Sequence, residues 1–160
     1  MPDDRQLREH LKKLLDWGDA HVGFDRAVKG IPPRLRGVVP EGLEHSAWQL
    51  VEHIRLAQAD ILEFCVNPKY KEKTWPDDYW PGGAAPKDAT VWSASIAACR
   101  RDVKAAQRLA GDRTIDLFAA IPHGDGQTYL REILLVADHT SYHVGQIVLV
   151  RRALGIWGGA

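Results

Sequence analysis

The chain has 160 residues, 45 % of them hydrophobic and 26 % charged, with 21 basic side chains balanced by 21 acidic ones. That length supports one domain over 1–160 with a core of its own, while the zero net charge gives no basic field for nucleic acid phosphates. No stretch of 18 uncharged apolar residues points to a membrane, Met1-Pro2-Asp3-Asp4-Arg5 lacks the apolar part of a secretory signal, and Cys65 and Cys99 form no disulfide framework, so a reducing cytoplasm is expected.

Taken in chain order, the first expected element is a helix from Asp4 to Lys29, on which Leu7, Leu11, Leu14, Gly18, Val22 and Val28 recur near a 3.6-residue period. Gly30-Ile31-Pro32-Pro33 ends it, because proline cannot continue the ladder. Ser46-Ala47-Trp48-Gln49 reads as a capping box that opens a second helix, which runs through Leu50, His53, Ile54, Ala57 and Ile61 to Val66. Residues 67–87 form a long connection rich in Trp, Pro and Gly. A third helix is expected from an Asp88 cap to Gly111 as the residue just past its end. After a second connection with a short turn around Leu117, the last helix runs from Gln127 to Leu154 and is closed by Gly155. Four helices joined this way predict an all-α four-helix bundle.

Seven histidines are present, and their spacing separates them. His139 and His143 stand at i and i+4 in the last helix, which puts both on one face, about 6 Å apart along the axis. Apolar residues flank the pair, and imidazole nitrogens in such surroundings need partners. Gly145 leaves room for a neighbouring helix. His53 is the histidine of the second helix that lies among Leu50, Ile54 and Ala57, and facing helices of a bundle supply metal ligands in this way. The competing reading is that these are core histidines bonded to carboxylates such as Glu52 or Asp138. His45 is about 12 Å from His53 along a helix, so both cannot hold one ion, and Cys65, about 18 Å beyond His53, is no ligand. His10 and His21 read as surface or packing residues, and His123 as a residue at the rim of a site.

Ala137-Asp138-His139-Thr140-Ser141-Tyr142-His143-Val144-Gly145-Gln146-Ile147 resembles the last-helix signature of the DinB-like (damage-inducible, YfiT-like) family. Arg151-Arg152-Ala153-Leu154-Gly155 is similar to that family's ending, and Ser46-Ala47-Trp48-Gln49-Leu50-Val51-Glu52-His53 to its second-helix motif. The resemblance implies an up-down-down-up bundle, commonly a homodimer. It also implies a divalent metal, zinc or nickel, held by the second-helix and last-helix histidines, which map to His53, His139 and His143.

Three protein ligands with open positions describe a catalytic metal site. Some members of the family transfer a low-molecular-weight thiol such as bacillithiol or mycothiol to electrophiles, others resemble hydrolases, and a non-catalytic metal-binding, stress-associated homodimer is the alternative. The expectation is a metal-dependent thiol S-transferase acting on a small molecule. Around the ligands, Gln146 is expected to hydrogen-bond one of them and Glu132 to stand behind them or at the rim, while Gln49 either faces the site or serves the helix cap. Trp75, Tyr79 and Trp80 either line a substrate mouth or cover the end of the bundle. Arg151 and Arg152 either grip an anionic thiol or complement the helix dipole.

Overall fold

The computed structural model of the chain describes residues 4–16 and 18–158. Its helices are α1 (Arg5–Leu14), α2 (Phe24–Val28), α3 (Ala47–Val66), α4 (Ala89–Gly111) and α5 (Tyr129–Ala153). Short 3-10 turns at Pro33–Leu35 and Asp77–Tyr79 sit in the connections. The described residues contain no strand, only an isolated bridge between Ala120 and Thr128.

The single helix expected over 4–29 is two helices, with residues 15–23 between them (Trp17, inside the expected helix, lies outside the described residues). Gly18, Asp19 and Gly23 are poor helix formers, the glycines costing about 1 kcal/mol each relative to alanine. Gly18 also has no side chain to bury, and nothing would lie within 4 Å of a Cβ placed on it. The periodicity that counted Gly18 as part of an apolar face therefore overran the real end of the helix.

The other helices start where their caps place them. Ser46 Oγ accepts from the Gln49 backbone N–H at 3.1 Å, and Gln49 Oε1 accepts from the Ser46 N–H at 2.9 Å, so the capping box is complete. Asp88 caps α4 through Val91 N–H, and Thr128 caps α5 through Arg131 N–H. Gly111, expected just beyond α4, is its last residue, and Asp112 is the C-cap. The physical reason lies on α1, where buried Arg8 donates to the carbonyls of Ala110 at 3.0 Å, Asp112 at 2.8 Å and Ile115 at 2.7 Å. A guanidinium from 100 residues away does what a left-handed glycine would otherwise do. At the end of α5 a glycine is used: Gly155 has φ +68°, its N–H reaches Arg152 O, and Ile156 N–H reaches Arg151 O.

Two apolar clusters hold the helices together. In one, Leu50, Val51 and Ile54 from the start of α3 meet Val144, Ile147 and Val150 from the end of α5, with Trp92 and Ile96 from the start of α4. In the other, Cys65 at the end of α3 meets Ile133 and Val136 at the start of α5, with Ala106 and Leu109 at the end of α4 and Leu11 of α1. Each fully buried Leu or Ile contributes about 1.5–3 kcal/mol. By length and composition α5 passes the test for a membrane-spanning helix, as core helices also do, and its residues Ile133, Val136, Val144 and Ile147 are spent on these clusters. Polar pairs lie along the α3–α5 seam, among them Gln58 Nε2 donating to Thr140 Oγ1 at 3.0 Å. No helix of this chain approaches Gly145 among the described residues: it is exposed, and an added Cβ would meet nothing within 4 Å.

The connection 67–87 is tied to this frame. Ser46 Oγ donates to Ala84 O at 2.5 Å, and a Cβ on Gly37 would come within 2.3 Å of Ala85 Cβ, so only glycine permits that approach. Ser46 therefore serves both the helix cap and the loop. We expect Ser46→Ala to lower the free energy of unfolding by about 1–2 kcal/mol, read as a shift in the urea midpoint at unchanged slope; an unshifted midpoint would contradict this role.

Candidate metal centre

His53 lies two turns into α3, and His139 and His143 occupy successive turns of α5 on the face turned to α3. His53 is 2 % exposed and His143 7 %, with His139 half-buried beside them. One ligand-capable nitrogen from each ring lies within 4.8 Å of the others, and the Nε2 atoms of His53 and His139 are 3.0 Å apart. Two nitrogens bound to one ion at about 2.0–2.1 Å each stand roughly this far apart.

The second nitrogens decide the tautomers. His53 Nδ1 is 2.7 Å from Tyr79 O, and a carbonyl only accepts, so Nδ1 carries the proton and Nε2 of the neutral ring is a bare lone pair. His143 Nδ1 is 2.6 Å from Gln146 Oε1, which leaves its Nε2 in the same state. His139 Nδ1 is buried with no partner. A proton shared between His139 and His53 satisfies two of the inward nitrogens; a cation satisfies three. The donor set therefore fits a divalent ion, with open positions left for other ligands. Among the described residues no carboxylate answers these rings in the way the competing reading required: Glu52 is bonded by Arg55 and Ser95, and Asp138 is exposed.

Burial sets the charge of the cluster. Desolvation holds His139 and His143 down to about 4, with the neighbouring imidazoles acting in the same direction and Gln146 opposing at His143. Desolvation also lowers His53, against the pull of the Tyr79 carbonyl. At neutral pH all three are uncharged, the form that ligates a metal.

A cavity of about 510 Å³ opens beside the cluster, lined by His53 and His139 together with Asp60, Trp75, Tyr79 and Glu132. This is the size of a small-ligand pocket. His123, expected at a rim, also lines it, with Nε2 on Phe64 O at 2.7 Å. Glu132 is buried in the wall and paired with Arg131. Trp75 and Tyr79 are part of the lining, whereas Trp80 is not. Trp80 stacks flat on His53 at 3.9 Å and against His45 at 4.1 Å, which holds the His53 ring in place. Gln49 serves the cap alone, and buried Arg151 donates to Arg26 O, Ala27 O and Ile156 O, which uses it as a staple rather than an anion grip. Residue-by-residue reading did not find Asp60, whose carboxylate takes the hydroxyls of Tyr70 and Tyr79. Its signal was available as the i+7 spacing from His53 on one helix face. Burial pushes the Tyr70 phenol up to about 12 and raises Tyr79 further, Asp60 adding to both, so both remain donors.

A sequence-family model described as the DinB superfamily matches residues 19–147, which is well over half of the chain and spans His53, His139 and His143. The chain belongs to the DinB superfamily. No curated protein and no solved structure gives a significant match. Membership in the DinB superfamily agrees with the all-helical structure, and the histidine cluster lies wholly inside the matched span.

The lowered imidazole pKa values fix a pH dependence. Unfolded histidine takes up its proton near 6.5, the folded His139 and His143 only near 4. Between these values the unfolded chain binds more protons, so stability is full above about 6.5 and falls as pH drops towards 4. Metal-free protein should show a thermal midpoint that declines through this window, with a shallower decline in His139→Gln. A midpoint flat from pH 6.5 to 4.5 would contradict the buried, neutral cluster.

Proposed function

We propose that this DinB-superfamily protein binds one divalent ion, zinc or nickel, through His53, His139 and His143, and transfers a low-molecular-weight thiol to electrophilic small molecules. The observation that carries this reading is the placement of neutral imidazoles on the wall of an open cavity large enough for a substrate. A divalent ion held there lowers the pKa of a coordinated thiol and so supplies thiolate at neutral pH.

The chain's own residues define the remaining roles. Cys65 and Cys99 are buried, and burial pushes both thiols up to about 12, so neither supplies the nucleophile. The sulfur must arrive with a co-substrate. His53, His139 and His143 hold the ion, Gln146 and Tyr79 orient two of the rings, and the Trp75 ring offers an apolar wall to the electrophile. Glu132, buried in the same wall and paired with Arg131, is the carboxylate we assign to take up the proton that the thiol gives up.

The helix ends that share each apolar cluster support an up-down-down-up order for α1, α3, α4 and α5, with α2 an addition after α1. A homodimer is the assembly we propose. Leu134, Tyr142 and Leu149 are exposed on α5 with Gly145 among them, and a second copy laid on this stripe would cover apolar surface.

Metal-loaded protein should consume a model electrophile in the presence of bacillithiol, mycothiol or another cellular thiol at least ten times faster than His53→Ala protein, and should sediment as a dimer. Equal rates for the two proteins would overturn the transferase reading. A large metal-dependent rise in melting temperature with no turnover for any thiol would instead favour a non-catalytic metal-binding protein.

A further inference from the structure

We propose that Asp60 is a positioning residue for the histidine cluster, holding Tyr79 by its phenol so that the Tyr79 carbonyl keeps His53 in its ligating tautomer. The part of this proposal that concerns metal affinity rests on the metal reading of the site; the part that concerns the tautomer does not.

Asp60 lies on α3 seven residues after His53, two turns along the same helix face, and is 6 % exposed. A carboxylate buried to that degree requires donors, and it has three. Tyr79 OH donates to Oδ2 at 2.6 Å, Tyr70 OH reaches both oxygens at 3.1 and 3.2 Å, and Lys73 Nζ is 3.4 Å from Oδ1. All three donors come from the connection after α3, so one helical carboxylate gathers the loop that would otherwise have little to hold it.

Tyr79 is the link between this anchor and the cluster. It ends the 3-10 turn Asp77–Tyr79 and is held at two points: its hydroxyl by Asp60 and its carbonyl by His53 Nδ1 at 2.7 Å. Asp60 and His53 sit on one rigid helix, and Tyr79 spans the gap between them. A hydrogen-bonded partner on the far nitrogen of a ligating histidine fixes both ring orientation and tautomer. Here the direct partner is a loop carbonyl, whose position is only as fixed as the loop. Asp60 supplies that fixity from behind. Trp80, the next residue, stacks flat on the His53 ring, so the same anchor also seats the second group that holds this imidazole.

The chain of contacts makes the test specific. Tyr79→Phe removes the phenol and keeps the carbonyl, and Asp60→Ala removes the anchor. Each should weaken zinc binding about ten-fold in a chelator competition. The double variant should be no weaker than either alone, since both cut one path. Asp60→Asn, which keeps an acceptor for the phenol, should retain most of the affinity. Tyr70→Phe strips another donor from Asp60, and its contact with the Tyr79 phenol, but leaves the Tyr79–Asp60 bond in place, and should bind zinc within about two-fold of wild type. In metal-free protein, ¹⁵N chemical shifts of the His53 ring should report the Nδ1–H form in wild type and exchange between tautomers in Tyr79→Phe and Asp60→Ala.

Wild-type affinity and an unchanged His53 tautomer in both variants would overturn the proposal. So would a loss shared equally by Tyr70→Phe, which would mark a general loosening of the loop. If wild-type protein binds no zinc, the metal reading fails by itself and the tautomer measurement alone decides the role of Asp60. Exchange in the variants then upholds it, and a fixed Nδ1–H form in them overturns it.

Discussion

Imidazole taken out of water gives up its charge more readily than its hydrogen bonds, and three imidazoles meet in the seam between α3 and α5. Their inward nitrogens must share something, and their outward nitrogens need partners that hold the rings still. Much of the surrounding structure answers that need. Gln146, one turn further along α5, takes His143; the Tyr79 carbonyl takes His53; Trp80 lies flat on His53 and is itself backed by His45. The apolar clusters at the two ends of the seam keep the helices in register, so that residues 86 positions apart in sequence come within hydrogen-bonding distance.

The connection after α3 matters as much as the helices. A loop of this length has little reason to adopt one conformation by local propensity alone. Here it is tied by Ser46 to Ala84, by the close pass of Gly37 against Ala85, and by Asp60 to Tyr70, Tyr79 and Lys73. The outcome is a cavity with one wall of helix and one of loop, and the imidazoles of buried His53 and half-buried His139 open onto it. Rigid helices supply all three imidazoles, and the loop sets the orientation of one of them, His53.

What could be read from the residues was whatever is written locally. The capping box at Ser46 and Gln49 marks the start of α3 because its two bonds involve residues three apart, and Gly155 marks the end of α5 for the same reason. The i, i+4 histidines share a helix face by geometry. The misread features depend on distant groups. Gly111 reads as a terminator only until Arg8 is known to take the carbonyls at that helix end. Gly145 reads as a packing glycine, but which face of α5 is covered is a tertiary fact. The pattern over 4–29 reads as one helix because a 3.6-residue period tolerates a glycine that the helical backbone disfavours. The i+7 spacing puts Asp60 on the helix face of His53, but its donors, like the ring of Trp80 stacked on His53, come from a connection with no periodic signal, where only the folded chain tells which aromatic faces the site.

The central claim is that His53, His139 and His143 together hold one metal ion. Metal content of untagged protein, measured by plasma emission spectroscopy on wild type beside His139→Ala and His143→Ala, tests it most directly. The account predicts about one equivalent of zinc or nickel in wild type and its loss in both variants, as expected for a three-ligand site. No bound metal in wild type after incubation with either ion, or full retention in both variants, would contradict it.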